Sequence, residues 1–500
     1  MTDQSRDNPF RLELIGDLQP LRDAMISAGF AGGAVEATLG RRFHSEKPDL
    51  VMLQRRTEAP NRYNTLFRLF IMGCGADESA VRSALPSCDI DSLVAGGLLL
   101  RKAEGLRSSA KLLPHQGLYI AGDFLAEHEE GSLPMDAVLS VNNSSITLSA
   151  LTVRRQVDRA LDVGCGGGIL ALLAASHAGH VVGTDINQRA LSFAMFNAKL
   201  NNITNTEWRR GSFFAPVENE LYDLVVSNPP FVVSPQSGLL FRDGGLGADL
   251  VSESMIRNAP RMLREGGYAC ILISWYRLEQ QGWEVRPSAW LEENGCDSWL
   301  ICCHDEDPLT YASTWLRETE SDRPTRYAKL LDEWLDYYDR IGIGRLCFGA
   351  AIMRKQSGRS NWLRCDEIGS TQGTSACGDH IERIFAAEDF LMNLADDAEL
   401  LAQRLAVHTD VAFAQRLSPR DGAWSGVSFN IHVTHGLPFS GEADPVLFRL
   451  LGQFDGRRLL QDAIRQVAGD LELDFDSLAP ACLQIVKKLI RTGMLIPVAA

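Results

Sequence analysis

The chain is short of paired cysteines, of lysine and of long apolar runs, and each shortage excludes something. Its eleven cysteines in 500 residues are too sparse for a disulfide scaffold. None stands in a C-x-x-C arrangement, and the only close pair is the adjacent Cys302 and Cys303, so a reducing cytoplasmic compartment is expected. No uninterrupted apolar stretch reaches about 18 residues, so no membrane span is expected. The N-terminal stretch alternates charged and apolar groups, without the basic and apolar regions of a secretory signal. Only eight of the 49 basic residues are lysine, and 64 acidic residues bring the formal net charge to −15. That balance disfavours nucleic acid as a partner, although a local basic groove would still be compatible with it. An apolar fraction of 45% and a charged fraction of 23% are ordinary globular values and exclude a largely disordered or collagen-like chain. At roughly 100–200 residues per domain the length suggests three units.

Residues 156–355 alternate short apolar runs with helical stretches, the pattern of βαβ units and a mostly parallel sheet. The runs at 159–163, 180–184, 206–210, 222–227, 268–274, 298–302 and 346–353 predict an α/β, seven-stranded Rossmann-like core. On each side the texture changes. Helical patterns at 61–73, near 80–85 and over 90–100 close in GGLLL; those at 446–456, 459–467 and 478–491 close in TGMLIPV. Both flanks carry the string Leu-Phe-Arg-Leu, at 66–69 and 447–450. We read a mainly α, winged-helix-like module at each end, with an ordinary three-helix domain as the alternative. The resulting division is 1–135, a core domain over 136–356, a Ser/Gly/Thr/Arg-rich linker over 357–377, and a substrate-recognition module over 378–500. The acidic cluster Glu388, Asp389, Asp396, Asp397 and Glu399 reads as a solvated helix face.

Leu161-Asp162-Val163-Gly164-Cys165-Gly166-Gly167-Gly168 follows the first strand and opens a helix. A glycine-rich turn there lets backbone approach a ligand and aims helix N–H groups at it. Such a loop suits dinucleotides and other adenosine ligands alike. Asp185, twenty-one residues after Gly164, sits where a carboxylate accepts from both ribose hydroxyls. Asp162 can orient the loop and hold a cationic amino-acid group through water, or simply cap the turn. Cys165 occupies a place for a small side chain and reads as structural. At the end of the fourth strand stands Val226-Ser227-Asn228-Pro229-Pro230-Phe231. The two prolines fix φ and remove donors, holding the Asn228 side chain and the Pro229 carbonyl toward the pocket. Those groups can accept both hydrogens of an NH2 whose lone pair is delocalised, and Phe231 can stack on a planar group. Asp243, in Phe241-Arg242-Asp243-Gly244-Gly245, is the nearest candidate to take a proton from a charged amine; an Asp heading a glycine turn is the alternative.

DVGCGGG, GTDIN and SNPPF, in that order, resemble the class I S-adenosylmethionine-dependent methyltransferases of the small-domain type, which include release-factor glutamine and rRNA guanine-N2 methyltransferases. The resemblance covers about 200 of the 500 residues. It implies S-adenosylmethionine as cofactor, with Gly164, Cys165, Gly166 and Gly168 around its amino-acid end. It places Asp185 at the ribose, counts the neighbouring Ile186 among the cofactor-binding residues, and puts Asn228 with Pro229 on the acceptor nitrogen, with Asn228 also bordering the cofactor. Where the family usually has an acid for the adenine, this chain has Ser212 followed by Phe213. The implied activity is N-methylation of an amide or amine, with a protein or peptide acceptor favoured. The FDGRR turn and GMLIPV strand are similar to peptide-recognition domains of enzymes that modify ribosomal peptide natural products. The alternatives are an RNA or DNA base, a small metabolite, or a non-catalytic cofactor-binding scaffold. For nucleic acid, Arg101, Lys102, Arg107, Lys111, Arg457, Arg458, Lys487 and Lys488 would supply phosphate contacts. His432 and His435 have no third ligand at metal-site spacing, so no metal is expected.

Overall fold

All seven apolar runs form strands: β1 (Val157–Val163), β2 (Ala178–Asp185), β3 (Thr206–Arg210), β4 (Tyr222–Ser227), β5 (Leu263–Arg277), β6 (Cys296–Glu306) and β7 (Arg345–Lys355). The seven-strand expectation is nevertheless corrected, because an eighth strand, β8 (Leu363–Glu367), rises from the stretch read as linker and completes one sheet in the order β8-β6-β7-β5-β4-β1-β2-β3. With a single leucine ahead of Arg364, Asp366 and Glu367, β8 has no apolar run to announce it. Polar contacts seat it: the Trp299 indole N–H donates to Asp366 Oδ2 at 2.7 Å and the Arg364 guanidinium lies 5.0 Å over the Trp299 ring. β7 runs antiparallel to both its neighbours, and the other pairs are parallel. Buried Val, Ile, Leu, Trp and Tyr side chains cover the sheet, among them Trp275, Trp299 and Tyr222 at 0% exposure.

The computed structural model describes residues 7–40, 49–124, 134–236, 238–244, 246–320, 323–369, 376–420 and 423–498. These fall into two units, Met1–Ser149 with Gln156–Ser370, and Ala150–Arg155 with Thr371–Ala500. Part of the expected linker, 370–375, lies outside the described residues, as does Gly245 of the FRDGG string. No helix among the described residues is long and apolar enough to cross a membrane.

In the larger unit three short helices, Arg62–Phe70, Glu78–Ala84 and Ile90–Ala95, precede a hairpin of Leu99–Lys102 with Gly105–Ser108. The first is capped by Asn61, whose side chain accepts from the Asn64 N–H at 2.8 Å, and buries Leu66, Phe67, Leu69 and Phe70. A second hairpin, Lys111–His115 with Leu118–Gly122, reaches the core. Its second strand lies along the helix Gln188–Leu200, where two asparagines one turn apart replace a neighbouring strand. Asn201 accepts from the Tyr119 N–H at 2.9 Å and donates to its carbonyl at 2.8 Å, and Asn197 does the same for Ala121 at 2.7 and 3.1 Å.

In the smaller unit, strands Val411–Arg420, Ala423–Val433 and Ser440–Ala443 form a meander. Helices Pro445–Leu451, Leu460–Asp470 and Phe475–Arg491 accompany a second sheet of Asp455–Leu459, Arg404–Val407 and Leu495–Pro497. The acidic cluster is solvated only in part: Glu388 is 8% exposed and faces Arg491 at 3.5 Å, and Asp396 caps its helix by accepting from the Glu399 N–H at 3.0 Å.

Candidate functional site

The chain leaves β1 outward to β2 and β3 and then returns to β4 on the other side, so a crevice opens at the carboxyl ends of β1 and β4. Val163 pairs with Thr184 of β2 and with Ser227 of β4, which puts the glycine loop, Asp185 and Asn228 at one edge of the sheet. The Ser227 hydroxyl donates to the Val163 carbonyl at 2.7 Å and ties two of these strand ends together.

The glycine loop is anchored by the Gly164 and Cys165 N–H groups, which donate to the Thr184 carbonyl at 2.8 and 2.9 Å. Gly164, Gly166 and Gly168 have φ of +68°, +53° and +83°, values that side chains rarely adopt. Space separates their roles. A Cβ on Gly164 or Gly166 would meet nothing within 4 Å, whereas on Gly168 it would lie 2.7 Å from the Trp208 ring and 3.1 Å from Ala194. The first two glycines therefore leave room at the crevice, and the third lets the loop pack on β3. Cys165 is 5% exposed, and burial, with the charges of Asp185 and Asp162, pushes its thiol well above the ordinary range, as befits a structural residue.

Asp162 is fully buried. Its Oδ2 accepts from the Ala171 N–H at 2.9 Å, which fixes the helix Ile169–Ala174 against β1, and its Oδ1 has no partner among the described residues. Burial, helped by the charge of Asp185 and opposed by that hydrogen bond, pushes its carboxyl up to about 7. Asp185 accepts from the Gly166 N–H with Oδ2 and the Asn187 N–H with Oδ1, both at 2.8 Å, and burial raises it as well. Ile186 beside it is 56% exposed. After β3, Ser212 is exposed, and Phe213 holds φ of +47° while its carbonyl accepts from the Thr184 hydroxyl at 2.9 Å.

Asn228 is half-buried, and among the described residues its side chain makes no hydrogen bond. Pro229 behind it is buried. Two other expected residues sit differently from the open site. Phe231 is 5% exposed, with its ring 5.3 Å from that of Phe348 and 6.3 Å from that of Trp315, so it anchors the turn in the core. Asp243 is also 5% exposed and its carboxylate is occupied: it accepts from Arg242 Nε at 2.7 Å, the Ser234 hydroxyl at 3.0 Å and the N–H groups of Gly238 and Leu239 at 3.0 and 3.1 Å. It ties Ser234, Gly238 and Leu239 together, as an Asp heading a turn does.

Two sets of supporting residues are not singled out by the sequence motifs. The helices Pro308–Glu320 and Pro324–Ile341, inserted between β6 and β7, supply three tyrosines to the loop after Asn228. The Val233 N–H donates to the Tyr311 hydroxyl at 3.1 Å, the Tyr338 hydroxyl donates to the Val233 carbonyl at 2.8 Å, and the Ala248 N–H donates to the Tyr337 hydroxyl at 2.9 Å. Asn197, besides holding Ala121, donates to the Gly167 carbonyl at 2.9 Å. Its signal was available: asparagines four apart on an otherwise apolar helix face.

A methyltransferase small domain model matches residues 141–277, and models of two domains of unknown function match 27–109 and 382–497. The release factor glutamine methyltransferase of Aliivibrio fischeri is 32% identical over 154 residues, which cover 27% of this chain and 50% of that protein. The ribosomal protein uL3 glutamine methyltransferase of Bradyrhizobium diazoefficiens is 32% identical over 150 residues, covering 27% and 47%. The chain thus spans about half the length of these two relatives. A Methanocaldococcus jannaschii protein named for protein N5-glutamine methyl transfer is 33% identical over 147 residues, covering 26% of this chain and 74% of that protein. These names give no support to a ribosomal peptide natural product as acceptor. The glycine loop, Asp185 and the Asn-Pro-Pro-Phe turn all fall inside the matched 141–277, and with a relative covered over 74% of its length, the chain belongs to the methyltransferase small-domain family.

Proposed function

We propose that the protein is an S-adenosylmethionine-dependent N-methyltransferase whose acceptor is an amide nitrogen of a protein, a glutamine side chain first among the candidates. The observation that carries this reading is Asn228, an amide with unspent hydrogen-bonding groups at the end of β4, next to a glycine loop at the end of β1.

The residues fit the cofactor. Gly164 and Gly166 leave open space, Asp162 keeps a buried oxygen without a partner for a cationic group, and Asp185 stands at a strand end for vicinal hydroxyls. Ile186 and Phe213 offer apolar faces to a purine, with Ser212 beside them as its polar contact. When bound, S-adenosylmethionine supplies a methyl group on a sulfonium. The chain's own part is orientation, which can lower a barrier by several kcal/mol with no acid or base. Asn228 Oδ1 and the Pro229 carbonyl accept the two N–H groups of the acceptor, drawing its lone pair out of conjugation and holding it in line; once the nitrogen has taken the methyl group it is strongly acidic and gives one of those two protons to water, so the transfer balances without a dedicated base. An amide acceptor agrees with the state of Asp243, whose carboxylate is already taken; a protonated amine would need a base that this residue does not offer.

The winged-helix-like flanks, 1–135 and 378–500, are the parts we assign to holding the acceptor. A protein acceptor is further supported by two of the eight basic residues, which are already paired. Arg101 faces Glu78 and Asp91, and Lys487 faces Asp397 at 2.5 Å. The test is labelled S-adenosylmethionine with a lysate separated into protein, RNA and small molecules. Label is expected in protein, and Asn228→Ala should abolish it while cofactor affinity measured by calorimetry changes less than about threefold. Label in RNA or metabolite would overturn the protein acceptor, and lost cofactor affinity with normal turnover would overturn the role of Asn228.

A further inference from the structure

The smaller unit carries a groove that the methyl-transfer site does not use. Strand Val411–Arg420 pairs with Ala423–Val433 on one side, and its other edge pairs with no strand among the described residues. Such an edge presents a row of main-chain donors and acceptors, and proteins ordinarily cover or blunt it. Here its start borders a cavity of 270 Å³ between the strand and the helix Pro445–Leu451. Val411, Phe413, Ile431, Phe448 and Leu451 line the cavity, and Arg449 stands at it. The Phe413 and Phe448 rings lie 4.8 Å apart, yet Phe448 is 53% exposed on a helix whose Leu447 and Leu450 already face the core.

Charge indicates the occupant. In a chain of net charge −15, Arg449 at the cavity and Arg416 on the strand are exposed and make no ion pair among the described residues. Three other arginines of this unit are engaged, Arg383 with Asp410, Arg465 with Asp462 and Arg491 with Glu388, while Arg404, Arg457 and Arg458, away from the cavity, also make no ion pair among the described residues. We propose that this strand edge and cavity form a docking groove for an extended polypeptide segment with one large apolar anchor side chain flanked by acidic residues. The segment adds a strand to the open edge, its anchor enters the cavity against Phe413 and Phe448, and its carboxylates meet Arg416 and Arg449. The inference rests on the protein-acceptor reading only in naming the partner's class, since docking needs neither cofactor nor turnover.

The test is fluorescence anisotropy of the full chain, without cofactor, on short labelled peptides with a central Leu or Phe flanked by Glu, against the same peptides flanked by Lys. The Glu-flanked set should bind at least about tenfold more tightly. Phe448→Asp and Arg449→Glu, both at exposed positions, should each weaken it about tenfold or more with unchanged thermal melts. N-methylation of alternate peptide nitrogens should weaken it too, because strand addition needs those N–H groups. Binding by neither set, binding indifferent to Phe448→Asp and Arg449→Glu, or binding indifferent to N-methylation would overturn the groove. So would sedimentation showing a dimer of the chain that Phe448→Asp dissolves, since a second copy would then be the occupant. Loss of docking with normal methyl transfer would leave the catalytic reading standing, and docking without any methyl transfer would remove that reading alone.

Discussion

At Asp162 two demands meet in one carboxyl group. One oxygen holds the Ala171 amide, and the other is buried without a partner among the described residues. Because burial pushes the folded-state value up to about 7, the folded chain retains a proton that the unfolded chain, near the ordinary value of about 3.9, has already lost. The contribution of Asp162 to stability is therefore full below about pH 4 and is lost as pH rises toward 7. Between about pH 5 and 8 the unliganded wild type should lose about 2–3 kcal/mol relative to Asp162→Asn, measured as the difference between their urea midpoints at each pH. Parallel curves for the two proteins would mean that Asp162 is ionised in the fold. Binding of a cationic group beside it should release that proton, visible as a buffer-dependent heat that Asp162→Asn lacks. That the glycines, Asp185 and Asn228 stand at neighbouring strand ends was legible because each lies in a short motif that follows a strand. The place of Phe231 was not, because its surroundings come from the distant Trp315 and Phe348, while Asp243 follows the turn-heading alternative that its glycine neighbour offers.

The acceptor loop is only as fixed as the helices that grip it. Tyr311 and Tyr338 hold the two sides of the Val233 main chain, five residues beyond Asn228, and both are buried. Tyr338→Phe removes one hydroxyl and leaves the Val233 carbonyl unsatisfied, a cost of about 1–3 kcal/mol. Turnover should fall severalfold or more while cofactor affinity stays put, because the hydrogen bonds of the glycine loop and Asp185 run to β2, Asn187 and Asn197 and not to these helices. Asn197→Ala should do the converse: it frees the Gly167 carbonyl and both Ala121 main-chain groups, so cofactor affinity falls and the Ala121 amide exchanges faster. Equal effects of both substitutions on both quantities would indicate general loosening instead of two separate supports. The sequence pattern implies helical stretches between the apolar runs of 156–355 without bounding these helices, and it cannot say which strand or loop a helix will face. The partners of the tyrosines and of Asn197 lie 78, 105, 30 and 76 positions away, beyond the reach of any local pattern.

The whole molecule carries a net charge of −15, which sets how acceptor binding should respond to salt. A partner gripped through 6–10 phosphates would lose about 10³–10⁵ in affinity between 50 and 200 mM salt. A protein acceptor should lose less than about tenfold, and a slope in the phosphate range would return nucleic acid to first place. The parallel core of the sheet followed from its apolar runs, since strands covered on both faces must be apolar throughout. β8 escaped because it lies at the rim and is seated by Asp366, Arg364 and Trp299. Its presence changes where the part of the chain that holds the eight-stranded sheet can be cut. A polypeptide ended at 356, the boundary that composition suggests, would lose the cover of β6 and leave the Trp299 indole facing water along an unpaired strand, an invitation to self-association; one ended after 369 would keep that margin closed.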